Sequence, residues 1–341
     1  MSGEKKIVIA DDDGIRLDRW FKRHYPALGH TVLEKLLRTG QVRLDGKRAK
    51  SGDRITAGQT LRLPPQVQTI HQSKSALSTR NSNEFPQPGD KEKHLTENIV
   101  IHMDSSVLVL NKPAGLATQG GSGIREHVDG LLDLLKFEKK QRPRLVHRLD
   151  RDTSGVLVVA RTATAAAALS ESLRERDASK IYWALTNGVP NAERGTIRSA
   201  LAKEAGFGPR GRSEKVVEVE KDAEGARYAV TDYAVLGRAG QEFAWVAARP
   251  VTGRMHQIRV HLASVGTPIV GDFKYGGSEV RGRGEIENRL HLHARSIDIA
   301  NPGGGRLQVT APLPAHMLRT WALLGFDAEY CGNPFAAKKR K

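Results

Sequence analysis

Cysteine is nearly absent from this 341-residue chain, because Cys331 is the only one. A single thiol excludes an internal disulfide framework and any zinc site built from several cysteines. We therefore expect a reducing, cytoplasmic environment. Residues 1–13 contain no apolar core of signal-peptide length, and no run approaches the roughly 18 apolar residues that span a membrane. The sequence thus predicts that the protein has no membrane partner.

Acidic residues are too few to balance the basic ones. The chain has 54 lysines and arginines against 38 aspartates and glutamates, which gives a formal net charge of +16. A basic side chain that neutralises a phosphate releases a counterion, so an excess of this size favours a nucleic-acid partner. Hydrophobic residues make up only 39% of the chain, which predicts that some segment lies outside a packed core. The basic tail, residues 331–341, is expected to be such a segment.

Residues 14–64 are predicted to form a small α/β domain. Apolar residues recur at helical spacing over 17–24 and again over 32–37, and Asp45-Gly46 is a strong signal for a hairpin turn. Two helices would thus pack on a small hairpin, with basic side chains along one rim. The residues expected to contact a nucleic-acid backbone are Arg16, Arg19, Lys22, Arg38, Arg43, Lys47, Arg48 and Lys50.

A polar stretch rich in proline and serine follows over residues 65–95 and is predicted to be a flexible linker. Residues 96–330 form a second, larger domain, in which the insert 203–222 is predicted to be an exposed, mobile hairpin. The apolar runs predict a helix over 165–173 and strands over 107–110, 156–160, 181–185, 228–236, 245–248 and 307–309. Because strands outnumber helices, we expect an α+β fold with a mixed, largely antiparallel central sheet.

Two clusters of polar residues are candidates for chemistry. Residues 146–155 lead into the predicted strand 156–160 and include the carboxylate of Asp150, and loops at strand ends commonly hold reactive groups. Residues 252–262 combine a glycine turn with an apolar i, i+4 pattern, which predicts a helix that starts at Arg254. An isolated aspartate more often caps a helix or pairs with a cation, so Asp150 alone would not establish an active site.

The context of Asp150 resembles a known family. His147-Arg148-Leu149-Asp150, followed by Thr153-Ser154-Gly155, is similar to the signature of the RluA-type pseudouridine synthases. Three further segments are similar to motifs of that family and occur in its order. They are 111–116 (its first motif), 180–185 (its tyrosine strand) and 253–261 (its arginine motif).

The small domain and one glycine-rich segment add to this resemblance. Residues 14–64 resemble the RNA-binding domain of the ribosomal protein S-four type, although Gly29-His30-Thr31 and Gly58-Gln59 depart from its usual pattern. Residues 119–123 look most like the RluC-like branch of the family, which modifies large-subunit ribosomal RNA. The resemblance therefore implies ribosomal RNA as the substrate, with transfer RNA as the alternative.

The resemblance also implies an enzyme that isomerises uridine in RNA without a cofactor or metal. Asp150 matches the family's catalytic aspartate, whose ionised carboxylate would attack the anomeric carbon of the ribose or stabilise positive charge there. Arg254 matches the arginine that pairs with this aspartate. Tyr182 matches the tyrosine beside the target base, which would stack on uracil or remove a proton.

Four more residues are assigned to the substrate by the same resemblance. Arg148 matches the residue that fills the space of the flipped-out nucleotide, and a simple phosphate contact is an even alternative. His147, Lys112 and Gln257 are expected to line the site. Of these, His147 would orient the loop and Lys112 would shape the rim. We expect the enzyme to be a monomer.

Two other classes of function stay open at this point. A non-catalytic RNA-binding protein would keep the basic surface but would not need Asp150, Tyr182 and Arg254 together. A retaining glycosidase or nucleosidase could use Asp150 with Asp152, two carboxylates on one loop. The excess of basic residues would have no purpose toward a neutral sugar, which disfavours that alternative.

Overall fold

The computed structural model describes residues 4–335 apart from 26–27, 68–94, 97, 122–123, 125, 176 and 209–210. The chain divides into two compact units, of which unit 1 comprises Met1–Lys93 with Lys140–Arg142, and unit 2 comprises His94–Lys139 with Pro143–Lys341. Within the described ranges, no helix is long and apolar enough to cross a membrane. Most of the predicted linker, and residues 336–341 of the predicted tail, lie outside the described residues.

Unit 1 is an antiparallel sheet with two helices. Its elements are β1 (Glu4–Ile7), α1 (Leu17–His24), α2 (His30–Arg38), β2 (Arg43–Leu44), β3 (Lys47–Arg48) and β4 (Thr60–Leu63). The strand order is β1-β4-β2-β3. Because β1 pairs with β4, the unit begins before residue 14, where the sequence predicts its start. Asp45 and Gly46 have φ values of 48° and 79°, as the predicted hairpin turn requires.

A buried carboxylate ties the N-terminal segment of unit 1 to α1. Asp12 is 1% exposed and accepts hydrogen bonds from Trp20 Nε1 at 3.0 Å and Arg23 Nη1 at 2.8 Å. His24 Nε2 lies 2.6 Å from the same carboxylate. Burial alone would raise the pKa of Asp12, but the bonds and charges of His24 and Arg23 bring it below its ordinary value.

Unit 2 is built on an eleven-stranded sheet with helices around it. The helices are α3 (Val128–Leu131), α4 (Ala163–Ser172), α5 (Gln257–Ser264) and α6 (Ala315–Leu324). The strands are β5 (Val100–Met103), β6 (Val107–Lys112), β7 (Arg144–Leu145), β8 (Ser154–Ala160), β9 (Ser179–Asn187), β10 (Arg194–Gly208), β11 (Gly211–Val219), β12 (Arg227–Ala239), β13 (Phe243–Pro250), β14 (Leu292–Ala300) and β15 (Arg306–Thr310).

The order along the sheet is β11-β10-β12-β13-β9-β14-β8-β6-β5, with β15 beside β14 and β7 beside β8. Among the described strands of this sheet, every pairing is antiparallel except that of β14 with β8. The predicted α+β class and the largely antiparallel sheet are thus confirmed. Each predicted strand lies within an observed one.

Several elements of unit 2 are absent from the sequence prediction, among them β5, β7, α3 and α6. The sequence does not predict β14, because His293 and Arg295 interrupt its apolar pattern. Both side chains are buried, with His293 Nδ1 2.8 Å from Ser154 Oγ and Arg295 Nη1 donating to a backbone oxygen at 2.7 Å. The predicted hairpin over 203–222 is confirmed as β10 and β11. It is not wholly exposed, however, because Val216 is buried.

Two apolar cores fix the sheet. On β6 and β8, the buried residues Leu108 and Leu157 belong to a cluster that includes residues of α3 and α4. On β9 and β13, the rings of Trp183 and Trp245 lie 4.6 Å apart. Trp321 of α6 packs on Trp245 at 5.8 Å. The strands that border the site described next therefore have little freedom to move.

The parallel pairing of β14 with β8 fixes the start of β8. Gly155 opposes Ala294 in the register and has a φ of 107°. A Cβ atom on Gly155 would lie 2.2 Å from the carbonyl oxygen of Ala294, so only glycine allows this approach. The loop at 146–153, which precedes β8, is thereby held at one edge of a rigid strand pair.

Candidate active site

Charged side chains from separate segments of unit 2 surround Asp150. Its backbone oxygen accepts a hydrogen bond from Thr153 N at 3.2 Å, in the turn before β8. Its side chain is 19% exposed, and Oδ2 lies 3.9 Å from Arg259 Nη1 and 3.8 Å from His256 Nε2. Among the described residues, no hydrogen bond of 3.5 Å or less reaches the carboxylate. Its oxygens are therefore close to donors without being tied to them.

Asp272 holds the guanidinium of Arg259. Arg259 Nε and Nη2 donate to its two carboxylate oxygens at 2.7 and 2.6 Å, and the Arg259 and Asp272 side chains are 10% and 0% exposed. The ring centroid of Tyr275 lies 5.0 Å from the guanidinium carbon, a cation–π contact. A bidentate pair fixes the plane of a guanidinium, so Nη1 stays directed at Asp150.

Partial burial and positive charge oppose each other at Asp150. Burial raises the pKa of Asp150 above its ordinary value, because the ionised form loses water. The charges of Arg259, Arg148 and Lys112 act against this rise. The result is a carboxylate partly removed from water but surrounded by cations. Such a group can attack an electron-poor carbon or stabilise a developing positive charge.

The predicted pairing of Asp150 with Arg254 is wrong. Helix α5 begins at Gln257, later than predicted, and Arg254 lies in the turn before it. The Arg254 side chain is exposed, and its Nε donates to the backbone oxygen of Tyr228 at 3.1 Å. The turn therefore directs this guanidinium to the surface of β12, and the arginine that faces Asp150 is Arg259.

The sequence does carry a signal for Arg259. It lies between the apolar residues Ile258 and Val260 of the predicted helix, and the structure buries all three, with Arg259 8% exposed. An arginine inside a buried stretch of helix needs a partner, because an unpaired charge in the interior is costly. That partner, Asp272, follows in the chain after a turn and an extended segment, where sequence periodicity gives no indication of contact.

His256 adopts a backbone conformation that residues other than glycine rarely adopt. It precedes α5 with φ 54° and ψ 15°, in the left-handed region. Its Nδ1 lies 2.6 Å from the hydroxyl of Tyr275. Burial and the charge of Arg259 lower the pKa of His256 to about 3. The imidazole is therefore neutral at physiological pH, and its contact with Asp150 is not an ion pair.

Tyr182 is placed by the neighbouring strands of the sheet. On β9 it opposes Ala248 of β13 and Ala294 of β14, and its ring is partly buried between two apolar clusters. Burial, with a contribution from the charge of Asp150, raises the pKa of Tyr182 well above its ordinary value. A hydroxyl that stays protonated is a poor base, so the raised pKa disfavours removal of a proton by Tyr182.

Lys112 braces the loops rather than lining the site. Its side chain is fully buried, and Nζ donates to the backbone oxygens of Pro113, Leu116 and Arg151 at 2.9, 2.8 and 3.0 Å. All three of its hydrogens are thus used. Burial lowers the pKa of Lys112 to about 8, against the attraction of the nearby carboxylates. The predicted contact of Lys112 with the substrate is therefore replaced by a structural role beside Asp150.

The side chains of Gln257 and His147 also form hydrogen bonds within unit 2. Gln257 is 3% exposed. Its Nε2 donates to Val230 O and Thr231 Oγ1, at 2.8 and 2.9 Å. Its Oε1 accepts from the backbone N–H of Arg254 at 3.0 Å, so it shapes the turn and has no atom left for the substrate. His147 Nε2 accepts from the backbone N–H of Val158 at 2.8 Å, which orients the loop. Arg148, by contrast, is exposed and close enough to Asp150 to act on its pKa.

The basic residues predicted to contact RNA lie on unit 1. Arg16 pairs with Asp18 at 2.7 Å, and Arg43 donates to the backbone oxygens of Gly40 and Gly46. Those two arginines are thus partly engaged within the unit. The remaining members of the set are exposed, and they are Arg19, Lys22, Arg38, Lys47, Arg48 and Lys50.

Comparisons with known proteins agree with this geometry. Residues 106–264 match the family model described as RNA pseudouridylate synthase. The chain is 34% identical to RNA pseudouridine synthase 4, mitochondrial, of Arabidopsis thaliana, over 96% of this chain and 84% of that protein. It is 33% identical to ribosomal large subunit pseudouridine synthase C of Escherichia coli, over 92% of this chain and 93% of that protein.

A solved structure leads to the same family. The human protein RNA pseudouridylate synthase domain containing 4 superposes with a TM-score of 0.56 at 30% identity, over 69% of this chain and 95% of that one. The predicted family, fold and activity are therefore confirmed. The chain belongs to the RNA pseudouridylate synthase family, and it is an enzyme that isomerises uridine in RNA to pseudouridine.

Proposed function

We propose that this enzyme modifies uridines of large-subunit ribosomal RNA, with Asp150 as the catalytic carboxylate. The main support for the catalytic role of Asp150 is that its Oδ2 lies 3.9 Å from the guanidinium of Arg259. Asp272 holds that guanidinium in a buried bidentate pair. Relatives named as ribosomal large subunit synthases, similar over about nine-tenths of the chain, support the choice of RNA. The net charge of +16 supports a polyanionic substrate.

The reaction breaks the bond from uracil N1 to the ribose and forms a bond from carbon 5 to the same sugar carbon. The hydrogen on carbon 5 leaves, and N1 gains a proton, so the mass of the RNA does not change. Asp150 acts in its ionised form, either by bonding to the anomeric carbon or by stabilising positive charge on it. Arg259 favours that ionised form. Tyr182 supplies the ring on which the detached uracil stacks.

The target nucleotide must leave its stack before Asp150 can reach the sugar. Arg148 is suited to occupy the space left behind, because it is exposed, planar and two residues from Asp150. The exposed basic residues of unit 1 would bind the phosphates of flanking RNA. Cytoplasmic location and a monomeric state remain predictions from the sequence.

The test is to map pseudouridines across total RNA from cells with and without the gene. Complementation is done with the wild-type chain and with Asp150→Asn. We expect specific positions in large-subunit ribosomal RNA to lose pseudouridine, and only the wild type to restore them. Loss confined to transfer RNA would instead establish the alternative substrate. Full activity of Asp150→Asn would contradict the catalytic assignment, and release of free uracil would indicate a nucleosidase.

A further inference from the structure

Tyr275 lies outside every motif used above, yet it contacts two of the groups around Asp150. Its hydroxyl lies 2.6 Å from His256 Nδ1, and its ring lies under the guanidinium of Arg259. The hydroxyl also accepts a hydrogen bond from the backbone N–H of Val216 at 3.1 Å. A side chain on the chain segment after α5 thereby connects strand β11 to two of the groups around Asp150.

The contacts of the Tyr275 hydroxyl bear on which nitrogen of His256 carries the hydrogen. The N–H of Val216 can only donate, so the Tyr275 oxygen is the acceptor in that bond. The hydroxyl's own hydrogen is then available for donation to His256 Nδ1, which lies 2.6 Å away. A nitrogen that accepts carries no hydrogen in a neutral imidazole. In this arrangement the imidazole hydrogen is on Nε2, the atom that lies 3.8 Å from Asp150 Oδ2.

We propose that Tyr275 is a positioning residue that fixes His256 in the Nε2–H tautomer, so that a neutral N–H donor faces the Asp150 carboxylate. This inference rests on the proposed catalytic role of Asp150. A neutral donor suits the place, because a second cation beside Arg259 would be repelled, whereas a neutral N–H adds a directed contact without a charge. The separation of 3.8 Å shortens to a hydrogen bond when the substrate fills the site, as catalytic contacts commonly do.

The backbone at His256 agrees with a functional constraint. Its left-handed φ of 54° costs free energy that ordinary helix starts avoid, and such positions cluster at active sites. The conformation directs the ring back between Tyr275 and Asp150. Val216, which holds the other side of the Tyr275 hydroxyl, is 3% exposed and packs in a small cluster with Val260 of α5. The edge strand β11 is thus part of the support of the site.

Two substitutions at His256 separate a donor role from a backbone role. Glutamine can place its amide N–H near the position of Nε2, whereas asparagine is too short to reach it. Asparagine is the better residue for a left-handed backbone. If the N–H donor matters, His256→Gln will retain more activity than His256→Asn. If only the backbone matters, His256→Asn will retain more, and that order would overturn the proposal.

Tyr275→Phe removes the hydroxyl and keeps the ring under Arg259. We expect its single-turnover rate to fall about tenfold, the effect of one hydrogen bond, while the dissociation constant for RNA stays the same. Tyr330→Phe is the matched control, since it removes a hydroxyl from a ring that packs on Trp245. It should leave the rate unchanged.

The tautomer can be read directly from the nitrogen chemical shifts of labelled histidine, with His256→Gln used to assign the signal. We expect the Nε2–H form in the wild type and a mixture of tautomers in Tyr275→Phe. A wild-type rate and an unchanged tautomer in Tyr275→Phe would refute the proposal while leaving the role of Asp150 intact. Activity in Asp150→Asn would instead refute the proposed function itself, so the two failures are distinct.

Discussion

Replacing Arg259 by lysine, and separately Arg254 by lysine, tests which arginine serves the Asp150 carboxylate. Both changes keep a positive charge and remove the planar fork of donors. Arg259 donates two hydrogen bonds to Asp272 at 2.7 and 2.6 Å from a side chain that is 10% exposed. Arg254 is exposed, and among the described residues its side chain donates to the backbone oxygen of Tyr228 at 3.1 Å. The two variants are therefore matched in chemistry and differ in geometry.

The expected magnitudes follow from this difference. A lysine at 259 cannot donate to both oxygens of Asp272 and still face Asp150. A charge-assisted bond contributes roughly 1.5–3 kcal/mol, so Arg259→Lys should lose about 3 kcal/mol of unfolding free energy. The loss of one preorganised donor at a reacting charge lowers a rate about 10²- to 10³-fold. Arg254→Lys should change the free energy of unfolding by less than about 1 kcal/mol and the rate by less than about fivefold.

The assay is a single-turnover measurement on an RNA fragment that carries a mapped target uridine. Tritium at carbon 5 of the uridine is released when that carbon bonds to the sugar, so the release gives the rate. The thermal unfolding midpoint of each variant is measured, and all rates are taken below it. A lower rate then reflects a slower reaction and not unfolded protein. A normal rate in Arg259→Lys beside a large loss in Arg254→Lys would refute the argument from geometry.

Three further predictions concern stability. Lys112→Met leaves three backbone oxygens without their donor and should cost about 3 kcal/mol of unfolding free energy, measured by denaturant titration; an unchanged midpoint would contradict the bracing role. Gly155→Ala should cost about 3 kcal/mol or prevent folding, because its Cβ would lie 2.2 Å from Ala294 O; a soluble variant of normal Tm would disprove that approach. The pKa of Asp12 is lowered in the fold, so its stabilising contribution is present above its ordinary value of 3.8 and is lost as the pH falls below it. The Tm difference between Asp12→Asn and wild type should therefore shrink in that range, and a difference independent of pH would rule out the ionised pair.

The fold was predictable where apolar runs were unbroken. All seven residues of β8 are buried, and the short unbroken apolar run at 156–160 favours an interior strand. The first four residues of β14 are also buried, but two of them, His293 and Arg295, are of types usually found at the surface. Their partners lie on β8 and in the segment after β15, so the strand is recognisable only once those segments are placed. The periodicity of apolar residues indicates which positions are buried. It misses polar side chains that are buried because their hydrogen bonds are satisfied inside the protein.

A site residue was predictable from the sequence where the motif that contains it is sufficient to identify its role. Asp150 belongs to a loop whose neighbours are consecutive in sequence, and the resemblance identifies it directly. The choice between Arg254 and Arg259 depends on a turn whose left-handed residue, His256, shifts the start of α5, and no residue pattern reveals that φ value. Asp272 and Tyr275 act through side chains of α5 or its first turn, so their relevance appears only in three dimensions.

The distances around Arg259 explain why a buried arginine can assist Asp150 without disabling it. If Asp150 took the short bidentate bonds itself, both of its oxygens would be occupied and its pKa would fall far below the ordinary value, which weakens a nucleophile. Instead Asp272 takes those bonds at 2.6 and 2.7 Å, and Asp150 remains 3.9 Å from the same guanidinium. Burial raises the pKa of Asp150, and the charge of Arg259 acts against that rise. Exchanging the roles by Asp272→Asn should therefore draw Arg259 onto Asp150, lower the pKa that governs the acidic limb of the pH–rate profile, and lower the plateau rate reached above that pKa.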